Sequence, residues 1–123
     1  MNLNDIDRFK FSFRNALNGI KTAYTSQKNL RVHSVIGFFV IIICILLKVS
    51  IVEWLILILT MLLVVISEIF NTALEFTVDL FSTEYSKQAK KAKDVSAAGV
   101  LISAISAILI WMIIFLPKIL IFI

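Results

Sequence analysis

The sequence predicts an all-α integral membrane protein with three transmembrane helices and an N-terminal amphipathic helix lying on the membrane surface. Three observations predict it. First, 60% of the 123 residues are hydrophobic and only 16% are charged, against roughly half and about 25% in soluble domains; mean hydropathy is +1.00. Second, the apolar residues gather into three uncharged runs. Third, the basic residues are segregated between them. A soluble domain this small must cover a large surface with polar groups, which this chain lacks. The composition excludes an ordinary soluble domain, a disordered chain and a nucleic-acid module. A single cysteine, Cys44, and a single histidine, His33, leave no disulfide framework and no Cys/His metal cluster within one chain. With no repeat and almost no Gly or Pro, residues 1–123 read as one domain.

The surface helix is expected over about 5–28. Phe9, Phe13, Ala16, Leu17, Ile20 and Tyr24 recur at helical spacing, while Arg14, Asn18, Lys21 and Lys28 lie off that stripe. A basic amphipathic helix of this kind lies in the bilayer interface. It is too long and too charged to be a signal peptide. Packing against the bundle is the alternative reading for the same stripe.

Val35 to Leu47 carries no charge, the polar break K-V-S-I-V-E follows, and Trp54 to Ser67 is again uncharged. Extended to their polar borders, these runs predict spans at about 31–48 and within 53–80, each long enough for a bilayer that needs roughly 17–25 residues. Residues 82–94 read as a Lys-rich connection. Val95 to Leu116 is an uncharged run of 22 residues, stopped by Pro117 and Lys118, and predicts a span at about 95–116. Six Lys and Arg precede the first span and four lie in 82–94, against one in the 48–53 turn and one at the C-terminus. The positive-inside rule then puts the N-terminus and the 82–94 loop in the cytoplasm and the C-terminus outside.

Four polar residues interrupt the oil. Glu68, Asn71, Glu75 and Asp79 fall within an arc of roughly 80° on one helix face at about 100° per residue. Counting from Trp54 at 1.5 Å per residue, Glu68 lies about 21 Å in and Glu75 about 31 Å in. Against a core of roughly 30 Å, Glu68 is embedded and Glu75 sits at the cytoplasmic boundary. A carboxylate at that depth costs several kcal/mol unless paired or neutralised, and marks a functional site by default. Interhelical bonding that merely holds an oligomer is the structural alternative, strongest for Asn71. The two glutamates cannot neutralise one another, so a cation must: a metal ion or a basic loop residue. Lys90, Lys91, Lys93 and Asp94 crowd the start of the third span. Anchoring to anionic lipid explains part of that lysine excess; Asp94 could cap the helix or join Glu75 at a metal.

The chemistry on offer is therefore carboxylates, lysines and a divalent cation at the inner boundary. A glutamate held there can act as general base on a hydroxyl, and Glu75 and Asp94 are hard oxygen ligands suited to Mg²⁺ carrying nucleotide phosphates. Phosphoryl transfer asks mainly for positioning and charge neutralisation. Gly19, Gly37 and Gly99 are scattered, so neither common glycine-rich phosphate loop is present. A reading of another class is a small proton-coupled transporter or structural membrane subunit using Glu68 as a relay; it leaves A-K-K-A-K-D unexplained.

The stretch E-I-F-N-T-A-L-E-F-T-V-D (Glu68 to Asp79), followed by A-K-K-A-K-D (Ala89 to Asp94), resembles the bacterial diacylglycerol kinase and undecaprenol kinase family of small integral-membrane lipid kinases. The resemblance covers nearly the whole chain. It implies a homotrimer in the bacterial cell membrane with active sites shared between subunits. It implies Mg²⁺ and ATP as co-substrate, and a lipid alcohol as acceptor in phospholipid or carrier-lipid metabolism. By match, Glu68 resembles the family's general base for the lipid hydroxyl and Glu75 its metal-binding carboxylate. Asn71, Lys93 and Asp94 resemble residues that organise the nucleotide phosphates. Glu84, in T-E-Y, matches a position near the nucleotide, and Arg8 a basic residue of the surface helix. Q-K-N-L-R-V-H (Gln27 to His33) looks like the Gram-positive-type branch, which implies undecaprenol as the preferred acceptor, with diacylglycerol as the alternative. Most members carry Glu where Gln27 stands, as a second metal ligand; a neutral carbonyl oxygen there implies weaker cation binding, and raises the further reading of an inactive member acting in assembly. Arg31 and His33 are the expected contacts to the lipid or its headgroup.

Overall fold

The computed structural model describes residues 3–81 and 86–120. They form four helices: α1 (Leu3–Ser26), α2 (Lys28–Leu46), α3 (Ile51–Phe81) and α4 (Lys87–Leu120). The last three are each long and apolar enough to cross a membrane. Their outward faces are rich in exposed Ile, Leu, Val and Phe, as lipid-facing helices require.

One short connection, between α2 and α3, sets the topology at that end of the bundle. α2 ends in a Schellman motif: the Val49 N–H donates to the Cys44 carbonyl and the Lys48 N–H to the Ile45 carbonyl, each at 3.2 Å. Lys48 takes the left-handed conformation at φ 49°, a conformation non-glycine residues adopt at a cost of about 1–2 kcal/mol. Val49 and Cys44 then share the buried cluster with Val40, Leu57 and Phe115. α3 starts at once with a capping box. The Ser50 backbone N–H donates to Glu53 Oε2 at 2.6 Å, and the Glu53 N–H donates to Ser50 Oγ at 3.3 Å.

α3 and α4 make an antiparallel pair, the most extensive helix contact in the chain. The buried stripe of α3 runs Leu57, Thr60, Val64, Glu68, Asn71 and Thr72, an i, i+3, i+7, i+11 progression that keeps one face inward. α4 answers with Val100, Ser103 and Ala107, small residues that let two backbones approach closely in lipid. Trp111 Nε1 donates to Thr60 Oγ1 at 2.8 Å, an interhelical bond worth about 1 kcal/mol in such a setting. Ion pairs close both ends: Lys118 to Glu53 at 3.1 Å and Lys93 to Asp79 at 2.6 Å.

α4 is longer than the sequence suggests. The polar connection expected over 82–94 is already helical from Lys87. Ser86 supplies the cap: its Oγ accepts from the Ala89 N–H at 3.4 Å. Asp94, expected as a possible cap, lies inside the helix and pairs with Lys90 one turn earlier. Ala and Lys are strong helix formers, so A-K-K-A-K extends the helix beyond the apolar run. Pro117 does not stop α4 but sits within its last turn.

Candidate active site

The site is built at the end of the bundle where α2 begins, α3 ends and α4 begins. Gln27 is the residue between α1 and α2, in extended conformation at φ −103°, ψ 118°. Its Nε2 donates to Glu75 Oε2 at 2.7 Å. From one turn earlier on α3, Asn71 Nδ2 donates to Glu75 Oε1 at 3.0 Å. Both oxygens of Glu75 are thus held by amides, and the carboxylate is fixed in orientation.

Deeper along the same face, Glu68 is only 1% exposed. Neither of its carboxylate oxygens has a hydrogen-bond partner among the described residues, and neither has the Asn71 Oδ1. An unsatisfied buried polar group costs about 1–3 kcal/mol, more when charged. The nearest group able to carry positive charge is His33 on α2, with Nε2 at 3.5 Å from Glu68 Oε1. Seven residues separate Glu68 from Glu75, about 10 Å of rise along α3.

Two concavities meet here. A polar pocket of about 230 Å³ is lined by Asn29, His33, Glu68 and Asn71 with Ala97 and Val100 of α4. Beside it an apolar cleft of about 340 Å³ is lined by Gly37, Met61, Val65, Ala107 and Trp111 among others. His33 and Ala104 belong to both. A hydroxyl on a long apolar chain could enter along the cleft and present itself at Glu68.

The structure thus gathers Gln27, His33, Glu68, Asn71 and Glu75. Lys93 stands alongside through its bond to Asp79. The other expected residues are not gathered within one chain. Arg31 spends its guanidinium on the last carbonyls of α1, donating to Tyr24 O at 3.0 Å and Thr25 O at 2.8 Å. Asp94 is exposed and turned to Lys90. Arg8 is exposed near the start of α1, about 27 Å along the helix axis from its end. Glu84 lies outside the described residues. Asn29 is a pocket residue that sequence reasoning passed over; its i, i+4 relation to His33 on α2 was the available signal.

Mg²⁺ can be tested against these donors. They are hard oxygens, and the unpartnered, buried Asn71 Oδ1 beside the Glu75 carboxylate suits such an ion. No group of three or more His, Cys, Asp or Glu that could hold a metal occurs among the described residues. One carboxylate with waters and phosphates completing the shell is the usual Mg²⁺ arrangement, so the residues fit.

A family model described as prokaryotic diacylglycerol kinase matches residues 14–115. The chain is similar to the undecaprenol kinase of Bacillus subtilis (strain 168), at 36% identity over 115 residues covering 94% of each chain. It is similar to the diacylglycerol kinase of Synechocystis sp. (strain ATCC 27184 / PCC 6803 / Kazusa), at 41% identity over 110 residues, 89% of this chain and 63% of that one. The diacylglycerol kinase of Escherichia coli (strain K12) is 33% identical over 93 residues, 76% of each. The matched stretch contains the whole of the Glu68–Asp79 face, and it identifies the chain as a lipid kinase of the prokaryotic diacylglycerol kinase family.

Proposed function

We propose that this kinase transfers the γ-phosphate of ATP to the hydroxyl of undecaprenol, giving undecaprenyl phosphate. The observation that carries the reading is that the apolar cleft and the pocket holding the unbonded Glu68 carboxylate share His33 and Ala104 as walls. Glu68 receives the hydroxyl proton as the lipid oxygen attacks the γ-phosphorus and ADP leaves with the bridging oxygen. Asn71, one turn along, lies between the lipid hydroxyl and the nucleotide. Glu75 would hold Mg²⁺, with Gln27 as a weak second ligand through its amide oxygen, and Asn71 would help organise the nucleotide phosphates. When bound, Mg²⁺ neutralises the phosphate oxygens. Lys93 draws on the same phosphates.

The chain works as a single domain in a homotrimer. Supporting this, α1 leaves Phe9, Phe13, Leu17 and Ile20 exposed, and within the chain Arg31 and Asp94 bond to groups other than Glu75. In such an assembly a neighbouring subunit supplies Arg8 and Asp94 to the nucleotide. α1 lies on the cytoplasmic surface, and the Lys-rich end of the bundle with the Gln27–Glu75 contact faces the cytoplasm. The C-terminus lies outside.

Undecaprenol is favoured over diacylglycerol by the match to an undecaprenol kinase along nearly its full length. Purified protein in lipid, given labelled ATP and either a C55 polyprenol or diacylglycerol, tests the choice. The expected result is a higher kcat/KM for the polyprenol. A preference for diacylglycerol would reassign the acceptor.

A further inference from the structure

His33 is the one histidine of the chain, and it lines both the apolar cleft and the pocket that holds Glu68. Its Nε2 faces a carboxylate oxygen of Glu68 at 3.5 Å, a few tenths of an ångström beyond a normal N–H···O bond. Glu68 needs a donor, because both its oxygens are buried without one among the described residues. Three basic side chains near this end are engaged elsewhere. Lys93 is on Asp79, Lys90 on Asp94, and Arg31 on the α1 carbonyls. An imidazole suits this place better than an ammonium, since its body tolerates an apolar wall while its tip presents an N–H.

We infer that His33 is a positioning residue for the general base. Its Nε2–H holds Oε1 of Glu68, which fixes the carboxylate plane and leaves Oε2 to receive the lipid hydroxyl. The inference rests on the proposed function, in which Glu68 takes the hydroxyl proton. His33 acts through Glu68 and takes no proton from the acceptor itself.

Two variants and one spectrum test this. His33→Leu keeps an apolar body but removes the donor. It is expected to lower kcat roughly 10- to 100-fold with the acceptor KM changed less than about twofold. His33→Gln places an amide N–H at similar reach and is expected to recover to within about threefold of the wild-type kcat. An unchanged kcat in His33→Leu, or a rise in KM alone, overturns the inference; the latter would make His33 an acceptor contact. Independently of activity, ¹⁵N-histidine labelling gives one imidazole spectrum. Glu68→Gln is expected to move its Nε2 signal, while Glu53→Gln at the other end of α3 leaves it in place. A signal indifferent to Glu68 overturns the pairing even where His33→Leu fails to fold. A wild-type protein that phosphorylates no lipid alcohol counts against the proposed function instead, and the ring signal still decides the pairing.

Discussion

Glu53 and Glu68 occupy the same helix and are treated in opposite ways. Glu53, in the first turn of α3, accepts from the Ser50 backbone and meets the Lys118 ammonium, while its own N–H is capped by Ser50. That carboxylate is committed to ending one helix and tying down another. Glu68, at mid-helix, is buried deeper; neither oxygen has a hydrogen bond among the described residues, and the group facing it is His33, with Nε2 at 3.5 Å from Oε1. Folding alone has no use for a bare carboxylate in an apolar bundle, where an aliphatic side chain would pack without that cost. The contrast separates an acid that supports structure from one that, on the proposed function, is held ready for chemistry.

Substitutions at the two positions should therefore fail in different assays. Glu68→Gln keeps the shape and removes the base. It is expected to lower transfer to any lipid alcohol by about 10²–10⁴-fold while thermal stability holds or rises; both are measured on protein in the same lipid. Transfer that survives would remove Glu68 from the proton step. Gln27→Glu sets a second carboxylate against Glu75. Manganese binding by electron paramagnetic resonance should become tighter, and the Mg²⁺ needed for half-maximal rate should fall roughly tenfold, for one added anionic ligand at a hard-cation site. Unchanged metal dependence would place Gln27 outside the metal site. Glu53→Gln should have the smallest effect: a midpoint of thermal unfolding lower by a few degrees, with kcat within about twofold. A large loss of rate there would erase the distinction between the two acids.

The architecture was legible because bilayer physics leaves few choices. Span length, the break at 48–53 and the inward face of α3 all follow from hydropathy and the helical period. The start of α4 was misread because an apolar run marks only where lipid begins, whereas helix formation follows propensity and the Ser86 cap. The pairing of His33 with Glu68 was not legible. It depends on how α2 is rotated about its own axis, and α2 is apolar nearly all round from Val35 onward, so no stripe announces its inner face. Likewise Gln27 could be suspected at a metal from resemblance, but not seen to donate to Glu75 until the helices were in place. The bonds of Arg31 to the last carbonyls of α1 also depend on how α1 and α2 meet at Gln27, which hydropathy does not encode.

Gln27 is both the single non-helical residue between α1 and α2 and a donor to Glu75. Backbone rotation there, the motion that would swing α1 relative to α2, also reorients the amide resting on the carboxylate. A change in how α1 sits against its surroundings would therefore reach the Glu75 carboxylate through one residue, without any intervening part.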